Sequence, residues 1–289
     1  MRKHQLHTML AWPIQALAQH SNMQYTDNSP RLAFKVHAGT GPYLLLVHGF
    51  LSSKAQWLAN LAALGSVCRP VTAELWGHGS SPAPADTSLY APEAYLAQFE
   101  QIRGQLGIDR WFVCGYSLGA GLTIRYAHDF AQHVYAHIFT NSNSALADAT
   151  QIQEWRDTAT KSARNIRQGG LTAIDRIPVH PRRARNLPAA VKEQLMEDCA
   201  NIKPEGVANT LEFTNPFTSI RHLAATNPRP ALLCYGVKER RFADNKTWAE
   251  KHMANLSIVE IDAGHGVNMD GAEAFDRHVC NFIRQHTQG

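Results

Sequence analysis

Long apolar runs and blocks of one charge are both missing from this sequence of 289 residues. Because no run of about 18 apolar residues occurs, we expect no membrane span. The formal net charge is +4, and the 28 lysines and arginines are spread along the chain. Proteins that bind nucleic acid usually concentrate their basic residues in a patch or block, so we expect no nucleic-acid partner.

Cysteine is scarce, and its spacing fits neither a disulfide framework nor a metal site. The five cysteines are scattered and odd in number: Cys68, Cys114, Cys199, Cys234 and Cys280. No Cys/His pair has the spacing of a zinc site, and we expect no metal. Buried free thiols are typical of a reducing compartment, which favours a cytoplasmic protein.

The N-terminal segment, residues 1–22, starts with basic residues and a short apolar patch. Secretory signals also start in this way, but Pro13 and Gln15 interrupt the patch. We therefore predict a surface helix here, and a cleaved N-terminal signal is the alternative.

Strand-like and helix-like patterns alternate along most of the chain. Seven segments predict strands: 31–39, 42–49, 68–75, 110–117, 135–142, 230–236 and 257–264. Between and after them, amphipathic patterns predict helices over 54–65, about 91–106 and 273–286. This alternation predicts an α/β fold whose sheet is mostly parallel and covered by helices on both faces.

One stretch interrupts the alternation. Residues 145–223 show helical patterns and no convincing strand, which predicts a helical insertion after the strand pattern of residues 135–142. We expect this insertion to form a cap, and residues 23–144 and 224–289 to form the core domain. The insertion is rich in arginine, and the run 180–185, which contains Arg183, is the densest part. The many nearby acidic residues favour a solvated face over an anion-binding site.

A serine stands where a strand pattern meets a helix pattern. Gly115-Tyr116-Ser117-Leu118-Gly119 has the form G-x-S-x-G, a turn that lifts a nucleophile above the sheet edge. The glycines fit this turn, because a Cβ beside the nucleophile would collide with the adjacent strand or helix. The context predicts that Ser117 is a catalytic nucleophile.

A serine nucleophile needs a general base and an acid that orients it. His265 is the predicted base, because it follows the last predicted strand and lies between Gly264 and Gly266. Glu239 and Asp244 both follow the strand pattern of residues 230–236 and are candidates for the acid. We favour Glu239 for its position at the end of the strand, whereas Asp244 is expected to start the next helix.

Two backbone N–H groups should stabilise the oxyanion. One is expected from Leu118, directly after the nucleophile, and the other from Phe50, in the loop after residues 42–49. One such donor contributes about 3 kcal/mol to catalysis.

With these motifs the sequence resembles the α/β-hydrolase superfamily. The motifs are "LLLVHGFLSSKAQW", "ELWGHGSSP" with Glu74 in place of the usual Asp, "GYSLGA", "GVKERRF", and "AGHGVNMDGAEAF" with Asp270 where Glu is common. The resemblance implies an eight-stranded sheet with a helical cap over the site. Within this superfamily, haloalkane dehalogenases and epoxide hydrolases use an aspartate nucleophile, so Ser117 argues against both. The menaquinone-pathway cyclohexadiene synthase has an arginine four residues after its serine, where this chain has Gly121.

These observations predict a serine hydrolase that cleaves a small carboxylic ester through an acyl-serine, with a Ser-His-Glu triad and no cofactor. The same triad would also serve a thioesterase, an acyltransferase or a C–C hydrolase. A ligand-binding protein with little turnover is the alternative from another class. The expected partner is a small acyl substrate, and the chain is expected to be a monomer or a homodimer.

Overall fold

The computed structural model describes residues 22–184 and 187–287. Eight strands form one sheet in these residues: β1 (Gln24–Tyr25), β2 (Ala33–Val36), β3 (Tyr43–Val47), β4 (Arg69–Ala73), β5 (Trp111–Gly115), β6 (Val134–Thr140), β7 (Ala231–Gly236) and β8 (Leu256–Ile261). The surface helix predicted for the N-terminal segment falls on residues 1–21, which lie outside the described residues.

The strands lie in the order β1-β2-β4-β3-β5-β6-β7-β8. Strands β3 to β8 are parallel to one another, while β2 pairs antiparallel with β4 and β1 antiparallel with β2. The predicted mostly parallel, eight-stranded sheet is confirmed. Sequence patterns identify seven of these strands, and they miss β1 because two residues are too short to show a period.

Helices cover both faces of the sheet. They are α1 (Leu61–Gly65), α2 (Pro92–Gln105), α3 (Leu118–Asp129), α4 (Ala149–Ile174), α5 (Ala189–Ala200), α6 (Pro204–Asn209), α7 (Arg221–Ala224), α8 (Ala243–His252), α9 (Val267–Asp270) and α10 (Ala272–His286). Short 3-10 turns occupy Lys54–Trp57, Thr87–Tyr90, Ala131–His133, Pro181–Arg183, Asn215–Phe217 and Arg240–Phe242, and a π turn occupies Thr210–Thr214. No helix of the described ranges has both the length and the apolar character needed to cross a membrane.

The single helix predicted over residues 54–65 is wrong. The chain forms a 3-10 turn and then α1, with Asn60 between them as the residue that precedes α1. The buried Asn60 side chain donates to the Asn268 carbonyl oxygen and to the Asp276 carboxylate, both at 2.8 Å. These long-range bonds fix the break, and no local pattern predicts them.

Alternate residues of β3 pack into layers on opposite faces of the sheet. Leu44 clusters with Phe275 of α10 on one face, and both side chains are fully buried. Leu45 clusters with Phe99 of α2 on the other face and is equally buried. Each such side chain contributes roughly 1.5–3 kcal/mol by leaving water, so β3 is anchored from both sides and its carboxyl end is held in place.

The chain between β6 and β7 is helical, as predicted, and its described residues contain no strand. The longest helix there, α4, changes direction at Gly170, whose φ is +54°. Ile166, Ile174, Ile202 and Val207 of this segment form a small apolar cluster with Leu51 of the loop after β3. This contact seats the helical segment on the carboxyl edge of the sheet.

A carboxyl group is buried where α10 meets α1. Asp276 is 8% exposed, and burial raises its pKa from 3.8 to about 7, although the bond from Asn60 opposes this shift. Between about pH 4 and pH 7, the Asp276 carboxyl is therefore protonated in the folded state and ionised in the unfolded chain. The free energy of unfolding should fall as the pH rises through this range.

Asp276→Asn should stabilise the protein, and more so at high pH. The amide keeps an acceptor for Asn60 and has no charge to bury, while one pKa unit corresponds to about 1.4 kcal/mol. We expect the gain in unfolding free energy, measured in urea, to be about 2 kcal/mol larger at pH 8 than at pH 5. Glu273→Gln, at an exposed position of the same helix, is the control, and an equal gain at both pH values would refute the assignment.

Candidate active site

Ser117 occupies a strained corner between β5 and α3. Its backbone has φ +51° and ψ −116°, a conformation that costs a non-glycine residue about 1–3 kcal/mol. Ser142, just after β6, donates its hydroxyl proton to the Ser117 carbonyl oxygen at 2.6 Å. The neighbouring strand thus helps to hold the corner and the hydroxyl that it carries.

The two glycines of the turn have no room for a side chain. A Cβ on Gly115 would lie 2.3 Å from the Thr123 hydroxyl and 2.4 Å from the Gly119 carbonyl oxygen. A Cβ on Gly119 would lie 2.4 Å from the carbonyl oxygen of Val47 in β3. These short distances agree with the expectation that a Cβ at either glycine of G-x-S-x-G would collide with the adjacent strand or helix.

His265 lies in the loop between β8 and α9, within hydrogen-bonding distance of Ser117. Its Nε2 is 3.1 Å from the Ser117 hydroxyl oxygen, and its Nδ1 is 3.0 and 2.9 Å from the two Glu239 carboxylate oxygens. The Tyr116 ring meets the imidazole edge-on, with ring centroids 5.2 Å apart. An imidazole that donates from Nδ1 to a carboxylate presents Nε2 as an acceptor, which is what a serine proton requires.

The structure brings Glu239, rather than Asp244, to His265. Glu239 directly follows the turn after β7, and Asn141 donates to its carboxylate at 2.9 Å. Asn141 Nδ2 also donates to the carbonyl oxygen of Gly236, the last residue of β7, and its Oδ1 accepts the Gly236 N–H, both at 2.9 Å. Asp244 is exposed in the first turn of α8, as the sequence led us to expect of a helix start.

Asn141 and Ser142 were missed by sequence reasoning. Both directly follow β6, and their position at the carboxyl end of a central strand is the signal that points to them. Asn141 is fully buried and lies 98 positions from Glu239 in the sequence. The pairing of the two residues is visible only in the assembled sheet.

Two buried imidazoles hold the loop that follows β3. His48 Nε2 accepts the Leu75 N–H at 3.0 Å, so its Nδ1 carries the proton and donates to the Gly49 carbonyl at 2.7 Å. His78 Nε2 accepts the Leu51 N–H at 3.3 Å, and its Nδ1 bonds the Trp76 carbonyl at 2.9 Å. Burial lowers the pKa of His48 to about 4 and that of His78 to about 3, so both rings are neutral near pH 7 and remain acceptors.

Phe50, the predicted second oxyanion donor, lies between Gly49 and Leu51 in this loop. It lines the same cavity as Ser117. Leu118 is the first residue of α3, so its N–H has no acceptor within the helix. The partial positive charge of the helix N-terminus adds to the attraction for an anion at this point.

A cavity of about 580 Å³ opens above Ser117. The core contributes Phe50, Tyr116, Glu239, His265 and Asp270, among others. The helical segment contributes mostly apolar walls: Trp155, Pro178, Val179, Leu187, Leu195 and Leu211. A cavity of this size, apolar with a few polar groups, suits a small organic molecule. Within the described ranges, no group of three or more His, Cys, Asp or Glu side chains is arranged to hold a metal ion.

Asp270, in α9, borders the loop that carries His265. Burial raises the pKa of this carboxyl above its ordinary value, while a hydrogen bond with the Gly264 backbone and the charges of Lys238 and His265 lower it. A Cβ on Gly266 would lie 3.2 Å from one of its oxygens. Asp270 thus packs against the loop on both sides of the imidazole.

Gly119→Ala should destabilise the protein because the new methyl group would press on the β3 backbone. Overpacking of this kind costs about 1–3 kcal/mol. Gly104→Ala is the matched control: it lies in α2 with nothing within 4 Å of an added Cβ, and the gain in helix propensity is about 1 kcal/mol. Urea unfolding should move the two midpoints in opposite directions, and a neutral effect of Gly119→Ala would contradict the close approach.

Comparison with known proteins agrees with this architecture. The sequence matches the α/β hydrolase fold family over residues 42–272. It is 31% identical to an uncharacterized protein of Mycobacterium tuberculosis over 141 residues, which are 48% of this chain and 40% of that protein, so the chain spans less than half of that relative. It is 26% identical to the 2-succinyl-6-hydroxy-2,4-cyclohexadiene-1-carboxylate synthase of Serratia proteamaculans over 249 residues, 84% of this chain and 93% of the synthase.

A solved structure shows the same fold. The enol-lactonase from Burkholderia xenovorans superposes with a TM-score of 0.76 over 90% of this chain and 100% of the lactonase, at 21% identity. The family match covers most of the chain, and the sheet order and the serine corner agree with it. The chain belongs to the α/β-hydrolase superfamily.

Proposed function

We propose that this α/β hydrolase is a serine hydrolase that cleaves small carboxylic esters through an acyl-serine. The observation that carries the proposal is the continuous hydrogen-bonded series from the Ser117 hydroxyl through His265 to the Glu239 carboxylate. A serine hydroxyl is a poor nucleophile by itself, and this arrangement supplies the base and the orienting acid that it needs.

In the proposed reaction, His265 Nε2 takes the hydroxyl proton as Ser117 Oγ attacks the ester carbonyl carbon. The imidazolium that forms is stabilised by Glu239, which stays ionised and keeps the ring in the correct tautomer. Asn141 acts as a positioning residue, because it ties the Glu239 carboxylate to the end of β7.

The negative oxygen of the tetrahedral intermediate would accept hydrogen bonds from the Phe50 and Leu118 backbone N–H groups. The position of Leu118 at a helix N-terminus and the rigid loop around Phe50 support this role. The intermediate then expels the alcohol, which takes the proton from His265. Water attacks the acyl-serine with His265 as base, and the acid leaves as Ser117 regains its proton.

We further propose that residues 145–223 act as a cap over a core formed by residues 23–144 and 224–289. The support is that this segment supplies most of the apolar cavity wall and packs on Leu51. Such a cap would exclude water from the acyl-enzyme and shape the pocket for the acyl or alcohol group.

The activity named for the Serratia relative fits this chain less well. The synthase is expected to have an arginine four residues after its serine, and this chain has Gly121 there. A Cβ added to Gly121 would lie 2.7 Å from the Thr218 carbonyl oxygen. No side chain fits there without moving the backbone of the segment before α7. This crowding supports ester cleavage over that reaction, whereas thioester or C–C cleavage would use the same triad.

An activity-based probe tests the proposal directly. A fluorophosphonate should add once to the wild type, as seen by mass spectrometry of the intact protein, and Ser117→Ala should abolish the adduct. Glu239→Gln should slow both labelling and hydrolysis of a short-chain ester by about 10²–10⁴-fold, because the imidazole loses its orienting charge.

Two variants serve as controls for this experiment. Asp244→Asn removes the other candidate acid, and we expect its labelling rate to stay within about twofold of the wild type, as for other exposed surface positions. Ser144→Ala removes a second serine of the cavity wall and should keep the single adduct. Absence of labelling in the wild type would overturn the hydrolase proposal in favour of a ligand-binding protein.

A further inference from the structure

Two arginines line the cavity, one from the core and one from the helical segment. Arg241 belongs to the 3-10 turn Arg240–Phe242, which follows β7 on the core side, and Arg183 belongs to the turn Pro181–Arg183 of the helical segment. Both side chains are exposed to solvent at the cavity. The arginine-rich run therefore places one of its members against the proposed substrate pocket, which the charge pattern alone does not predict.

Neither guanidinium is neutralised by the described part of the chain. No carboxylate there lies within salt-bridge distance of Arg183 or Arg241, whereas Arg182 pairs with Asp175 at 3.1 Å. Arg167, also in the helical segment, pairs with both Glu205 and Glu212. Unlike Arg182 and Arg167, the two cavity arginines therefore have charge available for a ligand.

The two acidic groups of the cavity are already engaged. Glu239 accepts from Asn141 and faces His265, and Asp270 is hydrogen-bonded to the backbone of Gly264. Neither carboxylate forms an ion pair with Arg183 or Arg241, and the one ion pair that either of them makes among the described residues is that of Glu239 with His265.

The backbone that carries each arginine is anchored. Arg241 precedes the fully buried Phe242 and follows Glu239 by two residues. Arg183 follows the 3% exposed His180, whose Nδ1 accepts the Arg182 backbone N–H at 3.2 Å. An anchored turn needs little further backbone ordering when its side chain binds a ligand. A guanidinium matches a carboxylate in bidentate geometry.

We infer that the preferred substrates are anionic esters, with a free carboxylate on the acyl or alcohol part that Arg183 and Arg241 bind while Ser117 attacks the ester group. This inference rests on the proposed function, because it uses the same cavity and nucleophile. The apolar walls would take the carbon chain between the two functional groups. The substrate class is thus a monoester of a dicarboxylic acid or an ester of a hydroxy acid.

A pair of esters that differ only in charge tests the inference. Monomethyl adipate has a free carboxylate, and its counterpart has a primary amide at the same end. We expect the wild type to hydrolyse the carboxylate ester with a kcat/KM at least about tenfold higher, mainly through KM, as for charge-assisted contacts. Arg241→Gln and Arg183→Gln should each remove a large part of this preference, and the double variant should remove it entirely.

Neighbouring arginines outside the cavity are the matched controls. Arg240→Gln and Arg182→Gln change the net charge by the same amount at adjacent exposed positions, and we expect both to keep the preference. Loss of the preference in these variants, or its survival in the double variant, would overturn the assignment to Arg183 and Arg241.

Binding without turnover separates failure of the inference from failure of the proposed function. Calorimetry on Ser117→Ala with the same two esters should show tighter binding of the carboxylate ester, and added salt should weaken it. If the wild type hydrolyses both esters and the two bind equally, the preference for anionic esters is refuted while the proposed hydrolase function stands. If the carboxylate ester binds more tightly but the wild type hydrolyses neither ester, the proposed hydrolase function is refuted and the anion site stands. If the two esters bind equally or not at all, the inferred preference for anionic esters is refuted.

Discussion

Leu51 and Ser117 are the two non-glycine residues with positive φ in the described ranges, at +55° and +51°. Each conformation costs energy that the surrounding structure must supply. For Ser117, part of the support is the Ser142 hydroxyl, and for Leu51 it is complete burial together with the bond to His78. The strained residues adjoin the two proposed oxyanion donors, Leu118 and Phe50, so the site depends on contacts made only at the assembled carboxyl edge of the sheet.

The environment of His265 differs from that of the two buried histidines that hold the loop after β3. His48 and His78 are fully buried, and the cost of burying a charge keeps them neutral, so each serves as a fixed connector with one donor and one acceptor. His265 is 34% exposed and has a carboxylate beside its Nδ1. Its Nε2 faces the Ser117 hydroxyl, and a ring held in this way by a carboxylate is the arrangement that the proposed general base requires.

Residues with a local signal are the ones that sequence reasoning identifies. Ser117 lies at the change from a strand pattern to a helix pattern, and His265 follows the last strand, so topology alone brings them to one edge. Asn141 gives no local signal, because its partner Glu239 is 98 positions away. The positions of Arg183 and Arg241 at the cavity could not be predicted from the sequence for the same reason. The balance of charged residues favours a solvated surface for the arginine-rich run, and only the packed structure shows which arginines line the cavity.

The turn after β7 carries Glu239 and Arg241 two residues apart, both at the cavity, on one peptide segment anchored by the buried Phe242. Any insertion or deletion in this turn would move the acid as well as the arginine. A change of substrate preference at this turn that leaves Glu239 in place therefore requires replacement of the side chain at position 241. Arg183 lies on a turn of the helical segment that carries no member of the proposed triad, so a change in the length of that turn would move the arginine without moving Glu239.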